Sequence, residues 1–355
     1  MRIRHAIIAG LALLAGRLAS AGTPSAAVPD DAFLAGYAAA VLEQRLGWPA
    51  GSYTLEVSDG RVRLDGSGHA DAEAAQRALA TVAGVRSVRL VDSPKQARAA
   101  RGRWFPTAEL FRPALADPKE PRFFISPRHY DTGSENLWLV EVGYGANFPV
   151  YGRIDAAGDG WNVGISGGLF GLFNLEADSF DLINADYTVG IPFTWRQGAR
   201  SARLRLYHQS SHLGDEYLLN AAPERINLSF ESLEALLAYD LEPFRVYGGG
   251  EVLLHREPGD LDRLMAHAGI EYFSRQPATL LPGLRGRPFA GLDLKSFEEH
   301  DWKLDSSLKL GMQFDAPRSD HYLRLLLEGY HGYSPHGQFY SDRISYFGLG
   351  VQFGI

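Results

Sequence analysis

From about residue 123 onward, apolar and polar residues alternate with a period of two. Segments of roughly ten to fourteen residues carry this pattern, and Gly, Pro, Asp or Asn separates them. In one segment, for example, Ile183 and Ala185 flank Asn184. Because successive side chains of a strand point to opposite sides, each segment predicts a β-strand with one apolar and one polar face.

Two architectures use strands of this kind. A water-soluble sandwich places the apolar faces inside, whereas a transmembrane barrel places them against lipid. The segments reach the roughly 9 to 11 residues that cross a membrane, and aromatic residues recur toward their ends. These features favour the barrel, and a soluble secreted β-protein is the weaker alternative.

The last segment keeps an apolar face up to the final residue. This face consists of Phe347, Leu349, Val351, Phe353 and Ile355. An unpaired apolar strand at a terminus is an aggregation hazard, and pairing with the first strand of a barrel removes that edge. The pattern resembles the C-terminal recognition strand of bacterial outer-membrane proteins.

Residues 122–355 therefore predict an antiparallel transmembrane β-barrel, which makes the chain mainly β. Eleven segments are clear, and Arg122–Tyr130 supplies a less regular one. Since bacterial single-chain barrels have even strand numbers, we expect about 12 strands, with 10 as the alternative. The stretches 111–113 and 116–123 resemble an uncharacterised family of predicted bacterial outer-membrane proteins, and the resemblance spans most of residues 104–355.

Residues 29–92 predict a small α/β domain. Apolar residues recur at helical spacing from Phe33 to Leu42, behind the possible caps Asp30 and Asp31. Two alternating stretches then flank Asp59-Gly60, which is a two-residue hairpin signal. An alanine-rich helical stretch and a last short strand follow, so the predicted order is αββαβ.

Within this order, Val62–Gly66 and Ala83–Val88 resemble the BON domain, a module found in bacterial periplasmic and outer-membrane proteins. The resemblance implies a binding module for phospholipid surfaces or envelope partners. A plain α/β spacer is the alternative, because a fold by itself does not fix a function.

The first residues predict export. A basic start, an apolar run over residues 6–15 and the small residues 19–21 form a signal peptide at residues 1–21. Residues 93–121 are basic and contain proline, which predicts a linker. We therefore expect a barrel in the bacterial outer membrane, with the N-terminal domain in the periplasm.

Composition narrows the function classes. The net charge of −7 is the opposite of the positive charge that binds the phosphates of DNA or RNA, so nucleic acid is excluded as a partner. The chain contains no cysteine, which excludes disulfides, thiolate metal sites and a cysteine nucleophile. The expected partners are membrane lipids, with lipopolysaccharide or envelope proteins as further candidates.

One strand carries groups capable of acyl-transfer chemistry. His208 and Ser210 share a face with Leu204 and Leu206, which a barrel turns toward lipid. Residues two apart on a strand are separated by about 7 Å, so an imidazole can reach the neighbouring hydroxyl. His208-Gln209-Ser210 resembles the His-x-Ser element of outer-membrane phospholipase A and of lipid A deacylase. The resemblance implies Ser210 as nucleophile and His208 as general base.

Enzymes of those families add an Asn or Glu on the adjacent strand to orient the histidine. Asn227, Ser229 and Glu231 are predicted to share the outward face of the next strand. Either Asn227 or Glu231 can be the third member, because one sequence does not fix the strand register. The alternative is that these residues are polar interface groups that support the following loop.

Metal binding has one weak candidate. His208 and His212 lie four residues apart on a strand, about 13 Å, which is too far to share one ion. Asp215 and Glu216 could bind Ca²⁺ through carboxylate oxygens, although acidic loop residues are usually only solvated. No other cofactor is expected.

Two functions follow. The first is a non-enzymatic outer-membrane barrel, a narrow channel or envelope scaffold, that carries a periplasmic module for lipid or partner binding. The alternative is a lipid acyl hydrolase of the phospholipase A or lipid A deacylase type, using the lipid-facing serine and histidine.

Overall fold

A computed structural model describes residues 30–66, 69, 71–91, 102–155, 157–177, 179–221, 223, 225–281, 283–316, 319 and 321–354. The expected signal peptide, residues 1–21, lies outside these residues. The chain divides into two compact units, residues 1–97 and 98–355.

The N-terminal unit is a small α/β fold. Its elements are helix α1 (Asp31–Ala40), a π-helical turn (Val41–Arg45), strands β1 (Thr54–Ser58) and β2 (Arg61–Asp65), helix α2 (Ala72–Ala80) and strand β3 (Ser87–Leu90). Strand β2 is central, antiparallel to β1 and parallel to β3. The predicted order of helices and strands is confirmed.

Local sequence explains two of these elements. The Asp30 carboxylate accepts a hydrogen bond from the Phe33 amide at 2.7 Å and so caps α1. Asp59 and Gly60 have φ values of +52° and +71°, which the two-residue hairpin between β1 and β2 requires. The sheet packs on both helices through a buried core: Ala38, Leu42, Trp48, Val62, Leu64, Ala75 and Leu79.

The second unit is a closed barrel. Its strands are β5 (Phe123–Asp131), β6 (Asn136–Ile154), β7 (Gly160–Asn174), β8 (Leu182–Gln197), β9 (Arg200–Leu213), β10 (Ser229–Leu241), β11 (Phe244–Glu257), β12 (Leu264–Phe273), β14 (Leu284–Phe297), β15 (Leu304–Asp315), β16 (Tyr322–Tyr333) and β17 (Arg343–Gly354). Two short strands lie outside the ring: β4 (Arg103–Trp104) pairs with β6, and β13 (Ala278–Leu281) pairs with β14. Helix α3 (Asp215–Ala221) connects β9 to β10.

Antiparallel pairing runs around the whole ring. Each strand pairs with the next, β12 pairs with β14, and β17 closes on β5 with Val351 opposite Ile125. The expected twelve-stranded antiparallel barrel is therefore confirmed, and the irregular stretch near residue 122 is its first strand. Closure removes the edge that the apolar last strand would otherwise expose.

The apolar faces point out of the barrel and the polar faces point into it. On the outside, Leu237 is 68% exposed and Leu349 is 62% exposed. On the inside, Arg128 and Glu141 are fully buried. This arrangement is the reverse of a water-soluble fold and is typical of a barrel surrounded by lipid. None of the helices in the described part of the chain is long and apolar enough to cross a membrane.

Candidate functional site

Residues 106–122, called the lumen segment below, pass through the inside of the barrel. Main-chain groups of the segment bond to inward side chains of the wall. The Leu115 amide donates to Glu271 at 2.7 Å, and the Ala116 carbonyl accepts from the Ser307 hydroxyl at 2.7 Å. Much of the stretch that the sequence suggests to be a linker therefore fills the lumen.

Three ion pairs anchor the end of this segment. Asp117 contacts Lys295 of β14 at 2.8 Å, and Lys119 contacts Asp186 of β8 at 2.6 Å. Glu120 receives two hydrogen bonds from Arg203, at 2.6 and 2.9 Å. All three side chains of the segment are largely or fully removed from solvent. Pairing is what makes their burial tolerable, since an isolated buried charge is very costly.

The Glu120 carboxylate belongs to a balanced charge cluster. Glu234 of β10 pairs with both Arg203 and Arg205 of β9, so the cluster holds two guanidinium and two carboxylate groups. Burial raises the pKa of Glu120, but the nearby Arg203 and Arg205 outweigh it and hold the pKa at about 2. Glu120 is therefore ionised at neutral pH.

His208, Ser210 and Glu231, the candidates for acyl-transfer chemistry, lie on the outer face of β9 and β10. In the register, Glu231 lies opposite His208, and Ser229 lies opposite Ser210. Nδ1 of His208 is 2.9 Å from Oε1 of Glu231. With Nδ1–H donating to the carboxylate, Nε2 remains available as a base, which is the arrangement of a histidine oriented by an acid. The tautomer is assigned from this contact.

Other candidates are placed differently. Asn227 precedes β10, is exposed and lies beyond Ser210 rather than beside His208. His255 of β11 contacts the second oxygen of Glu231, 2.9 Å from Nδ1, and was not singled out by the sequence. A register shift between Glu231 and the next residue pair brings it there. The described contacts include no hydrogen bond between Ser210 and His208.

Within the part of the chain that the structure describes, the proposed calcium ligands belong to no cluster of three or more potential metal ligands. Asp215 and Glu216 are exposed in the first turn of α3. Within the described residues, one group of carboxylate and imidazole ligands lies close enough together for a metal: Asp117, His267 and Asp293. The Lys295 ammonium already pairs with Asp117, and the His267 ring already bonds to Asp293 at 2.6 Å. The existing contacts therefore give both carboxylates a partner, whereas Nδ1 of His267 has no hydrogen-bond partner in the described structure.

A large cavity opens at the upper end of the barrel, defined as the end where β5 finishes and β6 begins. The centres of water-sized molecules can occupy about 170 Å³ of it. Lys119 and Lys295 lie at its inner side, and loop residues such as Asp262 and His300 lie toward the strand ends. Its walls are mainly aliphatic and aromatic: Leu228, Phe230, Leu253, Met265, Phe297, Tyr330 and Tyr340. No local sequence pattern marks it, because its residues come from seven strands, from the loops that connect them and from the lumen segment.

Comparison with known proteins places the chain in a family. Residues 67–355 match the family described as "Protein of unknown function (DUF1207)". The chain belongs to this family. The match covers the whole barrel and the lumen segment of this DUF1207 protein, and it begins within the N-terminal unit. No curated protein matches the sequence.

Solved structures similar to this DUF1207 protein include an outer membrane phospholipase, a porin and the transport unit of an autotransporter. Outer membrane phospholipase A from Escherichia coli has 13% identity and a TM-score of 0.47, covering 69% of this chain and 94% of that one. The KdgM porin has 8% identity and a TM-score of 0.37, covering 65% and 99%. The transport unit of the autotransporter AIDA-I from Escherichia coli has 14% identity and a TM-score of 0.36, covering 70% and 94%.

Proposed function

We propose that this DUF1207 protein is a non-enzymatic barrel of the bacterial outer membrane, closed in its centre by its own lumen segment. The apolar outer face supports the membrane location, since a belt of exposed leucines costs little against hydrocarbon and much in water. The paired charges around the lumen segment support the absence of an open channel. An envelope scaffold fits these features better than a porin does.

The N-terminal unit is then the module that binds lipid or an envelope partner on the periplasmic side. Two aromatic side chains of α1 favour a lipid surface: Phe33 is 62% exposed and Tyr37 is 52% exposed. Their rings stack with centroids 6.3 Å apart, so they form one apolar patch rather than two scattered residues. The resemblance to the BON domain points to the same role.

The first test addresses the membrane location and the closed lumen. The full chain should be extracted from cell envelopes only with detergent, and it should migrate faster on a gel before boiling than after. In a planar bilayer it should show no steady conductance. Release into buffer without detergent would rule out the membrane location, and a stable open current would rule out the closed lumen.

The second test addresses the N-terminal module. The full chain and Phe33→Ser/Tyr37→Ser are each held in an amphipathic polymer, which covers the barrel so that it cannot insert, and are then floated with vesicles of phosphatidylglycerol. Loss of most binding in the double variant supports lipid contact through α1. The control Glu43→Gln changes an exposed side chain after α1 that bonds to Tyr53, so it should float as the wild type does. Equal flotation of the aromatic variant would remove lipid contact through this surface.

A lipid acyl hydrolase is the second candidate, and the contact between His208 and Glu231 is the observation that favours it. In this reading, the Ser210 hydroxyl attacks the ester carbonyl carbon and transfers its proton to Nε2 of His208. The histidine then gives the proton to the leaving alcohol, and water releases the acyl group by the same route. Glu231 holds the ring and stabilises its charged form.

Purified protein in mixed micelles with phospholipid, or with lipid A, tests this candidate. Ser210→Ala and His208→Ala should each abolish fatty acid release, and Glu231→Gln should reduce it by about 10² to 10⁴. His255→Ala is the matched control because His255 bonds to the same carboxylate but lies a strand away from Ser210. Release that is unchanged in both the serine and histidine variants removes the hydrolase candidate.

A further inference from the structure

We propose that the cavity at the upper end of the barrel binds an organic cation with an apolar or aromatic body. The proposal concerns the inside of the barrel and is separate from the lipid-facing group on β9 and β10. Its basis is an excess of unpaired negative charge among aromatic walls.

Most inward carboxylates of the barrel strands have a basic partner. Within the described part of the barrel, each of the following contacts an arginine or lysine: Glu141, Asp186, Glu234, Asp240, Glu271 and Glu328. Asp293 instead contacts His267. The pattern shows how this lumen normally stabilises a buried acid.

Glu251 and Asp305 depart from that pattern, and both line the cavity. Glu251 accepts a hydrogen bond from the Tyr207 hydroxyl, and Asp305 accepts one from the Tyr333 amide at 2.7 Å. Neither makes an ion pair with a basic side chain in the described structure. Asp305 is only 4% exposed, so water screens its charge poorly. A cation in the cavity would supply the missing countercharge.

The basic groups of the cavity offset these acids only in part, because the Lys295 ammonium acts on Glu251 and Asp305 from a distance while it contacts Asp117. Lys119 and Lys295 are each already in contact with an aspartate, Asp186 and Asp117 respectively. Arg263 lies at the mouth and donates to the Leu253 carbonyl. Asp262 and Glu299 add further carboxylates to the lining. The free charge that a ligand meets is therefore negative.

His300 adds no positive charge to the cavity. The ring lines the cavity, is 9% exposed and stacks on Tyr333 with centroids 3.6 Å apart. Both ring nitrogens are buried, and the Tyr340 main chain lies beside the ring. Burial lowers the pKa of His300 to about 4, so the ring is neutral at pH 7 and leaves the charge of the cavity to its carboxylates and lysines.

The aromatic side chains that line the cavity favour a ligand with an apolar or aromatic part. Phe230, Phe297, Tyr330 and Tyr340 present aromatic rings, whose faces attract a cation and whose area favours apolar groups. A small metal ion would make no contact with most of these apolar side chains. An anion would meet Glu251 and Asp305 at close range. An organic ammonium with an apolar body satisfies both the charge and the walls.

Calorimetric titration of the full chain in dodecyl maltoside tests the proposal, with three water-soluble probes that share a benzyl ring. Benzyltrimethylammonium is the cation, N-benzylacetamide is uncharged and phenylacetate is the anion. The cation should bind with a Kd at least about tenfold lower than either other probe. This comparison uses the wild-type chain and needs no variant.

Variants locate the site. Glu251→Gln and Asp305→Asn should each raise the Kd for the cation about tenfold, with heat-modifiable migration confirming that the barrel is folded. Glu176→Gln, an exposed change at the same end of the barrel, should bind as the wild type does. Equal binding of the uncharged probe, tighter binding of phenylacetate, no saturable binding, or an unchanged Kd in both acid variants would each overturn the proposal.

Discussion

Replacement of Glu120 by glutamine tests whether the lumen segment is held inside the barrel by buried charge. The change keeps the size of the side chain and removes one negative charge from the cluster that Glu120 shares with Glu234, Arg203 and Arg205. Two guanidinium groups then share one carboxylate. The cluster gains an uncompensated buried positive charge, which is the costly state for an ion pair.

The expected loss in the free energy of unfolding is about 3 kcal/mol at neutral pH. Removing one partner of a buried pair costs roughly 3 to 5 kcal/mol. The nearby Arg203 and Arg205 hold the pKa of Glu120 below its ordinary value, so the folded protein favours the ionised carboxylate. A glutamine forfeits that preference.

Urea unfolding of the barrel in detergent micelles, followed by tryptophan fluorescence, measures the effect. Glu242→Gln is the matched control, because Glu242 pairs with Arg275 at 2.8 Å but both side chains are at least 65% exposed. The same chemical change there should cost less than about 1 kcal/mol. If Glu120→Gln lowers the free energy of unfolding by no more than the control does, the ion pair between Glu120 and Arg203 is not buried. The lumen segment is then not held inside the barrel as described.

Three further outcomes are expected. Because the folded pKa of Glu120 lies below the unfolded value, wild-type stability should fall as the pH drops from about 4.5 to about 2, and Glu120→Gln should lack this part of the decline in the same urea assay. Leu237→Arg should cost about 2 to 4 kcal/mol in lipid vesicles if the outer face meets the membrane interior, and a cost no larger than that of Leu237→Ala would contradict this. Leu79→Ala, in the fully buried core of the N-terminal unit, should cost about 2 to 5 kcal/mol, measured as faster amide hydrogen exchange in that unit only; unchanged exchange would contradict the packing of α2.

The sequence predicts the barrel because the relevant signal is local. Alternation with a period of two assigns each residue to a face, and the apolar face of the last strand demands a partner strand. The confirmed strand number follows from the same counting. The order of elements in the N-terminal unit is equally local, since the cap at Asp30 and the turn at Asp59-Gly60 act over three or four residues.

The candidate hydrolase group depends on register, which alternation leaves open. Sequence spacing places His208 and Ser210 on one face, and it allows either Asn227 or Glu231 beside them. A shift of two residues keeps every side chain on its face while changing which pair meets, so the choice of Glu231 rests on the pairing of β9 with β10. His255 lies beside Glu231 because the pairing of β10 with β11 is irregular at that point, and the alternation of apolar and polar residues does not predict such an irregularity.

Local pattern therefore determined the strands, their two faces, the ring closure and the small α/β unit, because each depends on neighbours a few residues apart. Only the tertiary structure decided that residues 106–122 fill the lumen and that Glu251 and Asp305 face a cavity without basic partners. The pairs that hold the lumen segment join residues as far apart as 117 and 295. Such contacts exist only once the ring has closed and placed distant strands around a common interior.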